Sequence, residues 1–155
     1  MKERIRLLVD AMEEATGMQN MGEYLTTLFE IDALFLNQDR HLNNIALIRD
    51  RSRYKLPDFD CGASFLLDFA LYSPEIESRA YLTKAQGLPF KSRFTQTVHT
   101  AQALYGKQLE VNIDRASIDT ILDKYLCYYP KQFHFLLKER IETVLMEQQK
   151  KLFEK

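Results

Sequence analysis

The stretch from Tyr24 to Leu36 constrains the fold more than any other. Tyr24, Leu25, Leu28, Phe29, Ile31, Leu34, Phe35 and Leu36 make it apolar on almost every side. Glu23, Thr26, Thr27 and Glu30 leave only a narrow polar strip. A helix of this kind has no wide face to offer water, so it belongs at the centre of a domain. Asn20-Met21-Gly22-Glu23 reads as a capping-box variant that opens it. The apolar pattern then stops in Asn37-Gln38-Asp39-Arg40-His41-Leu42-Asn43-Asn44, a run too polar to extend a buried surface. The central helix therefore delivers a cluster of chemically competent groups to one fixed point.

The rest of the chain reads as mostly helical. Ile5, Leu8, Val9, Met12 and Ala15 recur at helical spacing between Glu3 and Thr16. Gly17 supplies the stop, because glycine accepts the left-handed conformation. After the polar run, Ile45 to Ile48 reads as a strand, Arg49 to Arg53 as a charged turn, and Tyr54 to Leu56 as a returning strand ending at Pro57. Ala63 to Tyr72 is apolar apart from Ser64 and Asp68, which suggests a short buried segment. Ser73-Pro74-Glu75 has the cap serine and first-turn proline of a helix start.

Gly87-Leu88-Pro89 breaks the chain again, and Ser92 is placed to cap a helix running to Tyr105 before Gly106. Asp114 or Ser117 opens a helix to Leu126 carrying Ile118, Ile121, Leu122 and Tyr125. The last helix runs from Pro130 towards Phe153, with Lys150, Lys151 and Lys155 where cations complement the helix dipole. No internal repeat or linker divides the 155 residues. The expectation is one mainly α domain, 1–155, with a single short β-hairpin.

Charge and cysteine usage narrow the function classes. Twenty-one basic and twenty-two acidic residues leave a formal charge of −1, without the electrostatic footprint of a nucleic-acid binder. Arg49, Arg51, Arg53 and Lys55 read as a solvated hairpin turn. Cys61 and Cys127 make neither a disulfide framework nor a metal-ligand spacing. No apolar run approaches the roughly 20 residues of a membrane span, and Met1-Lys2-Glu3-Arg4 leads into an amphipathic helix, not a signal peptide. A reducing cytoplasm is the expected setting.

The chemistry lies in Asp39, in Asn44 five residues later, and in Asp60 within Phe59-Asp60-Cys61-Gly62. Phosphoryl transfer asks for such a set: one acid to orient a hydroxyl and take its proton, with an amide oxygen and a second acid to hold magnesium against phosphates. Taken alone, an Asp and an Asn at this spacing are an ordinary polar turn. The buried helix before them, the hairpin after them and the Asp with glycine two residues on give the set its weight. Asp58 competes with Asp60, which the following Cys61-Gly62 favours. Asp32 and Asp68 read as helix-surface or loop-anchoring acids.

Asn37-Gln38-Asp39-Arg40-His41-Leu42-Asn43-Asn44 resembles the catalytic loop of HipA-like serine/threonine kinases, approximately N-x-D-x-H-x-x-N. More distantly, it is similar to the D-R-H-x-x-N loop of phosphoinositide kinases. Phe59-Asp60-Cys61-Gly62 resembles the F-D-N-G metal-binding motif of bacterial HipA-like proteins, with cysteine in place of asparagine. Pro89-Phe90-Lys91-Ser92 is weakly similar to a P-F-S segment of the same proteins. The resemblance is sharp over residues 31 to 66. It implies a kinase-like C-terminal lobe in which Asp39 is the catalytic acid, Asn44 and Asp60 hold Mg2+ and the ATP phosphates, and His41 supports the loop. The hard oxygen ligands suit magnesium.

A kinase also uses a glycine-rich cover and a strand lysine. The five glycines here, Gly17, Gly22, Gly62, Gly87 and Gly106, form no such loop. Gly17 and Gly22 have P-loop spacing, but Glu23-Tyr24 follows where lysine and Ser/Thr are required. The sequence thus points to a lobe that phosphorylates a protein hydroxyl once an N-terminal lobe is supplied. The alternative is a non-catalytic, pseudokinase-like module that binds a toxin, antitoxin or regulator. A magnesium-dependent hydrolase ranks last, lacking a water-activating partner.

His99 and His134 sit in helical patterns with no metal spacing. Tyr125, Tyr128, Tyr129, Phe133 and Phe135 read as core packing or a helix junction, and otherwise as the place where a missing lobe or partner docks. Exposed apolar surface of that sort favours self-association.

Overall fold

A computed structural model describes residues 1–45, 48–50, 53–55 and 60–153. The α-helices are α1 (Lys2–Thr16), α2 (Met21–Phe35), α3 (Ser78–Leu82), α4 (Phe94–Tyr105), α5 (Arg115–Tyr125) and α6 (His134–Leu152). Two short antiparallel ladders accompany them. Strands β1 (Ile48–Asp50) and β2 (Arg53–Lys55) pair with Ile48 opposite Lys55, while β3 (Gln86–Gly87) and β4 (Ser92–Arg93) pair with Gln86 opposite Arg93. The chain is mainly helical, as its periodicities require. No described helix is long and apolar enough to cross a membrane.

α2 is the centre. Met21, Leu25, Leu28, Phe29, Ala33 and Leu34 are all buried, and the helix packs against α1, α4 and α6. Its core partners include Ile5 and Val9 of α1, Val98 and Ala101 of α4, and Val144 of α6. A smaller cluster joins Leu34 to Ile118, Leu122 and Leu145. Gly22 makes the α2–α4 crossing possible, since a Cβ there would fall inside the Tyr105 ring.

The polar strip of α2 is divided: Glu23 is exposed and Thr27 half-buried, whereas the other two residues are shut in. Thr26 and Glu30 are fully buried. Thr26 Oγ1 donates to the Gly22 carbonyl at 2.8 Å, and Glu30 accepts from Gln102 Nε2 (2.8 Å), Gln108 N (3.2 Å) and Leu109 N (2.8 Å). A buried carboxylate is tolerated when hydrogen bonds replace its hydration. Here the carboxylate straps the loop after α4 onto the central helix. Gln148 of α6 adds a buried bond from Nε2 to the Ala33 carbonyl at 2.6 Å.

Several helix ends follow their chemistry. Gly17 caps α1 at φ 72°, Gly106 ends α4 at φ 84°, and the Asp114 side chain caps α5 by accepting from Ser117 N at 2.7 Å. Lys150 and Lys151 lie in the last turn of α6.

Other ends differ from the sequence reading. The Asn20 side chain makes no cap bond to α2; Glu13 of α1 supplies an acceptor to Met21 N at 3.3 Å instead. The third helix starts at Ser78, not at Ser73-Pro74: Ser73 Oγ does accept from Glu75 N at 3.3 Å and its carbonyl from Ile76 N, but this single turn does not continue into a helix. Ser92 does not cap α4: it lies in β4, its hydroxyl 2.7 Å from Thr97 Oγ1.

The first strand begins at Ile48 and includes Arg49 and Asp50, so the charged turn is shorter than expected. Ala46, Leu47, Arg51, Leu56 to Phe59 and Lys155, including the Asp58 alternative, lie outside the described residues. Residues 63–72 are not a uniformly buried segment. Ser64 and Leu66 are buried, whereas Ala63, Asp68, Ala70 and Leu71 are exposed. Most of the aromatic cluster is not core packing either: Tyr128 and Phe135 are 80% and 84% exposed, and of the five only Phe133 is half-buried, its ring against Phe69.

Candidate functional site

The polar run begins where α2 must end. Leu36 takes the left-handed conformation at φ 56°, and Asn37 N donates back to the Asp32 carbonyl at 2.7 Å. From there a buried ion pair sets the course of the chain. Arg40 is 0% exposed and Asp32 3%. Arg40 Nε lies 2.9 Å from Asp32 Oδ2, and Nη2 lies 2.8 Å from Oδ1, a two-pronged arrangement that fixes the guanidinium plane. Arg40 Nη1 then donates to the Asn44 carbonyl at 2.8 Å, and Nη2 approaches Cys61 Sγ at 3.8 Å.

Asn37 completes the frame. Its Nδ2 donates to Asp32 Oδ1 at 2.8 Å and to the Asp60 carbonyl at 3.3 Å. Both loops of the expected site, 37–45 and 60–62, are thereby fastened to the last turn of α2.

Within that frame the expected residues are not equivalent. Asp39 and Asp60 are both exposed and line one cleft of about 490 Å³. Its other walls are Gln38, Gly62, Ala63, Asp68, Leu71 and Tyr72, and no basic residue lines it among the described residues. Asp60 sits at φ 57°, a region that Asp tolerates better than most residues. The Asn37 bond to its carbonyl helps hold it there.

Asn44 is buried in a short 3-10 turn, Leu42–Asn44, and does not line the cleft. Its Nδ2 donates to the Asp39 carbonyl at 3.0 Å, which commits the nitrogen and leaves the amide oxygen as the atom for a cation. His41 stands on the flank, Nε2 4.0 Å from Asp39 Oδ2, with its side chain 42% exposed. The loop is held by side-chain hydrogen bonds from Arg40, Asn37, Asn44 and Tyr72.

The donor set fits a small hard cation. Carboxylate and amide oxygens are what magnesium takes, and it completes its shell with water and phosphate, not with a closed protein cage. Among the described residues, no three His, Cys, Asp or Glu side chains gather as a metal-binding group. The candidate site therefore consists of Asp39 and Asp60 in the lining of one cleft, with the buried Asn44 bonded to the Asp39 carbonyl.

Three residues that build the site carry no chemical role in the sequence: Asp32, Asn37 and Arg40. Asp32 reads there as a helix-surface or loop-anchoring acid, and it is the anchor. The available signal was an Asp on an otherwise apolar helix with an Arg eight residues on. A charge placed in that setting needs a counter-charge. No family model, curated protein or solved structure matches the chain. The residues and their geometry carry the functional reading.

Proposed function

We propose that this chain is the C-terminal catalytic lobe of a HipA-like serine/threonine kinase. It would act on a protein hydroxyl with ATP and Mg2+ once a nucleotide-covering lobe is supplied. The observation that carries the reading is the pairing of Asp39 and Asp60 across one cleft, with Asn44 bonded to the Asp39 carbonyl. The order of the three residues in the chain and their N-x-D-x-H-x-x-N and F-D-x-G contexts support it.

In this reading Asp39 accepts a hydrogen bond from the acceptor hydroxyl and takes its proton as the new P–O bond forms and the bond to ADP breaks. Asp60 and the Asn44 amide oxygen would hold Mg2+, which neutralises phosphate charge when bound. The Arg40–Asp32 pair keeps the two loops in register, so that the groups do not have to be ordered at each turnover.

Titrating the chain with Mn2+, with and without ATP, and following electron paramagnetic resonance tests the reading. Saturable binding that tightens with ATP is expected, abolished by Asp60→Asn and weakened by Asn44→Ala. Asp39→Asn should keep the metal but lose phosphotransfer to protein when a glycine-rich lobe is added in trans. A folded chain that binds no Mn2+ with ATP present would overturn the proposal.

That outcome would favour the second reading, a non-catalytic module that binds a toxin, antitoxin or regulator. The observation on its side is the exposed aromatic face of Tyr125, Tyr128, Tyr129 and Phe135.

A further inference from the structure

The cleft contains more than the proposed chemistry uses. Asp68 and Leu71 line it beside Asp39 and Asp60, and neither has a part in proton transfer or metal binding. Leu71 is 70% exposed, a large apolar side chain in a cleft that also holds three acids. Asp68 Oδ1 accepts from Ala70 N at 3.0 Å, and no cation among the described residues pairs with its carboxylate. One oxygen shapes the turn and the other is left for a ligand.

The turn from Asp68 to Tyr72 is also held unusually firmly for so exposed a segment. Leu71 N and Tyr72 N both donate to the Asp68 carbonyl, at 3.1 and 2.8 Å. Arg140 of α6, fully buried, donates to the carbonyls of Leu66, Tyr72 and Ser73, and its guanidinium lies 5.1 Å from the Phe69 ring centre. Burial pushes the Arg140 pKa down, a cost that the three carbonyls offset in part. Tyr72 Oη donates to Gln38 Oε1 at 2.7 Å, tying the turn to the residue before Asp39. A turn fixed from both sides presents Asp68 and Leu71 at a set position relative to Asp39, as specificity elements require.

We infer that the Asp68–Tyr72 turn recognises the acceptor. The substrate it fits is a peptide segment whose Ser or Thr is flanked by a Lys or Arg, read by Asp68, and by an aliphatic side chain that covers Leu71. This rests on the kinase reading of the same cleft. With Asp39 and Asp60 engaged by hydroxyl and metal, Asp68 is the remaining charge among the lining residues and Leu71 the largest exposed apolar side chain among them.

The test uses fluorescein-labelled peptides carrying one Ser between Lys and Leu, and the same peptides with Lys→Glu or Leu→Ser. Anisotropy is measured on the wild-type chain and on Asp68→Asn, Asp68→Lys and Leu71→Ser. Asp68→Asn keeps the acceptor for Ala70 N and so preserves the turn. It should weaken the basic peptide by about two- to fivefold, the range of an exposed ion pair. Asp68→Lys should reverse the preference between the Lys and Glu peptides. Leu71→Ser should weaken the Leu peptides whatever their charge, by roughly tenfold if Leu71 becomes covered.

Mn2+ titration of the same variants separates the two claims. Intact Mn2+ and ATP binding with no saturable peptide binding, or with a charge preference that Asp68→Lys leaves unchanged, overturns the recognition turn alone. An Asp68-dependent preference without Mn2+ binding overturns the kinase reading and leaves the turn as a peptide-binding element.

Discussion

Replacing Asp32 by Leu removes the counter-ion of Arg40 and leaves the guanidinium in a site with 0% exposure. Breaking a buried pair from one side costs about 3–5 kcal/mol, because the surviving charge has neither water nor a counter-charge. Arg40→Met should cost a similar amount. It strands Asp32 and also removes the donor to the Asn44 carbonyl. For 155 residues, at about 2.1 cal/mol/K of unfolding entropy per residue, 4 kcal/mol corresponds to a fall in Tm of about 12 °C.

The double variant Asp32→Leu/Arg40→Met is the decisive one. Independent effects would add to about 6–10 kcal/mol, enough to unfold most domains of this size. If the cost is that of a stranded charge, the double variant loses less than either single. What remains includes the unpaired Asn44 carbonyl and one N–H of the Asn37 amide, at about 1 kcal/mol each. Urea unfolding with an unchanged m value measures all four corners of the cycle. A double variant as unstable as the sum of the singles would refute the reasoning. The same double variant should bind Mn2+ more weakly while staying folded, since the loops carrying Asp39 and Asp60 lose their common anchor.

Glu30→Ala removes the acceptor for Gln108 N and Leu109 N and should cost roughly 1–3 kcal/mol for the donors left unpaired. Amide hydrogen exchange at Gln108 and Leu109 should rise well before the α2 core opens. Gly22→Ala drives a Cβ into the Tyr105 ring and should destabilise by about 1–3 kcal/mol despite the better helix propensity. In a Tyr105→Ala background the same change should stabilise by about 0.5–1 kcal/mol in urea titrations. Asp114 is held below the ordinary carboxylate pKa first by its bond from Ser117 N. Its contribution is therefore complete above the ordinary value and lost as pH falls through the lowered one. Asp114→Asn should unfold at lower urea than wild type near neutral pH, and the gap should close in acid.

Much of the fold was legible because it depends on local pattern. The apolar surround of Leu25, Leu28 and Phe29 requires burial wherever the helix packs. Gly17, Gly106 and Asp114 end or begin helices through bonds within a few residues. Glu30 was not legible in this way. Its charge reads as a surface position, and the groups that make it a buried one lie 72 to 79 residues away. The β3–β4 ladder escaped for a different reason: its two-residue strands are too short to show alternation. In the site, Asp39, Asn44 and Asp60 were legible as residue types at a spacing that chemistry uses. Arg40 reads in sequence as one more polar residue of a loop, and only the return of the chain past Asp32 shows that its charge is neutralised inside the protein.

Arg40 and Asp32 also limit how this chain can change over time. A lineage that alters either residue first must pass through a protein with an uncompensated interior charge, and a lineage that alters both at once does not. The two positions are therefore expected to be inherited as a unit, and Asn37, which bonds both Asp32 and the Asp60 carbonyl, with them. Descendants in which Asp39 drifts should still carry the Asp–Asn–Arg trio. It would mark common ancestry after the chemically active residues have gone.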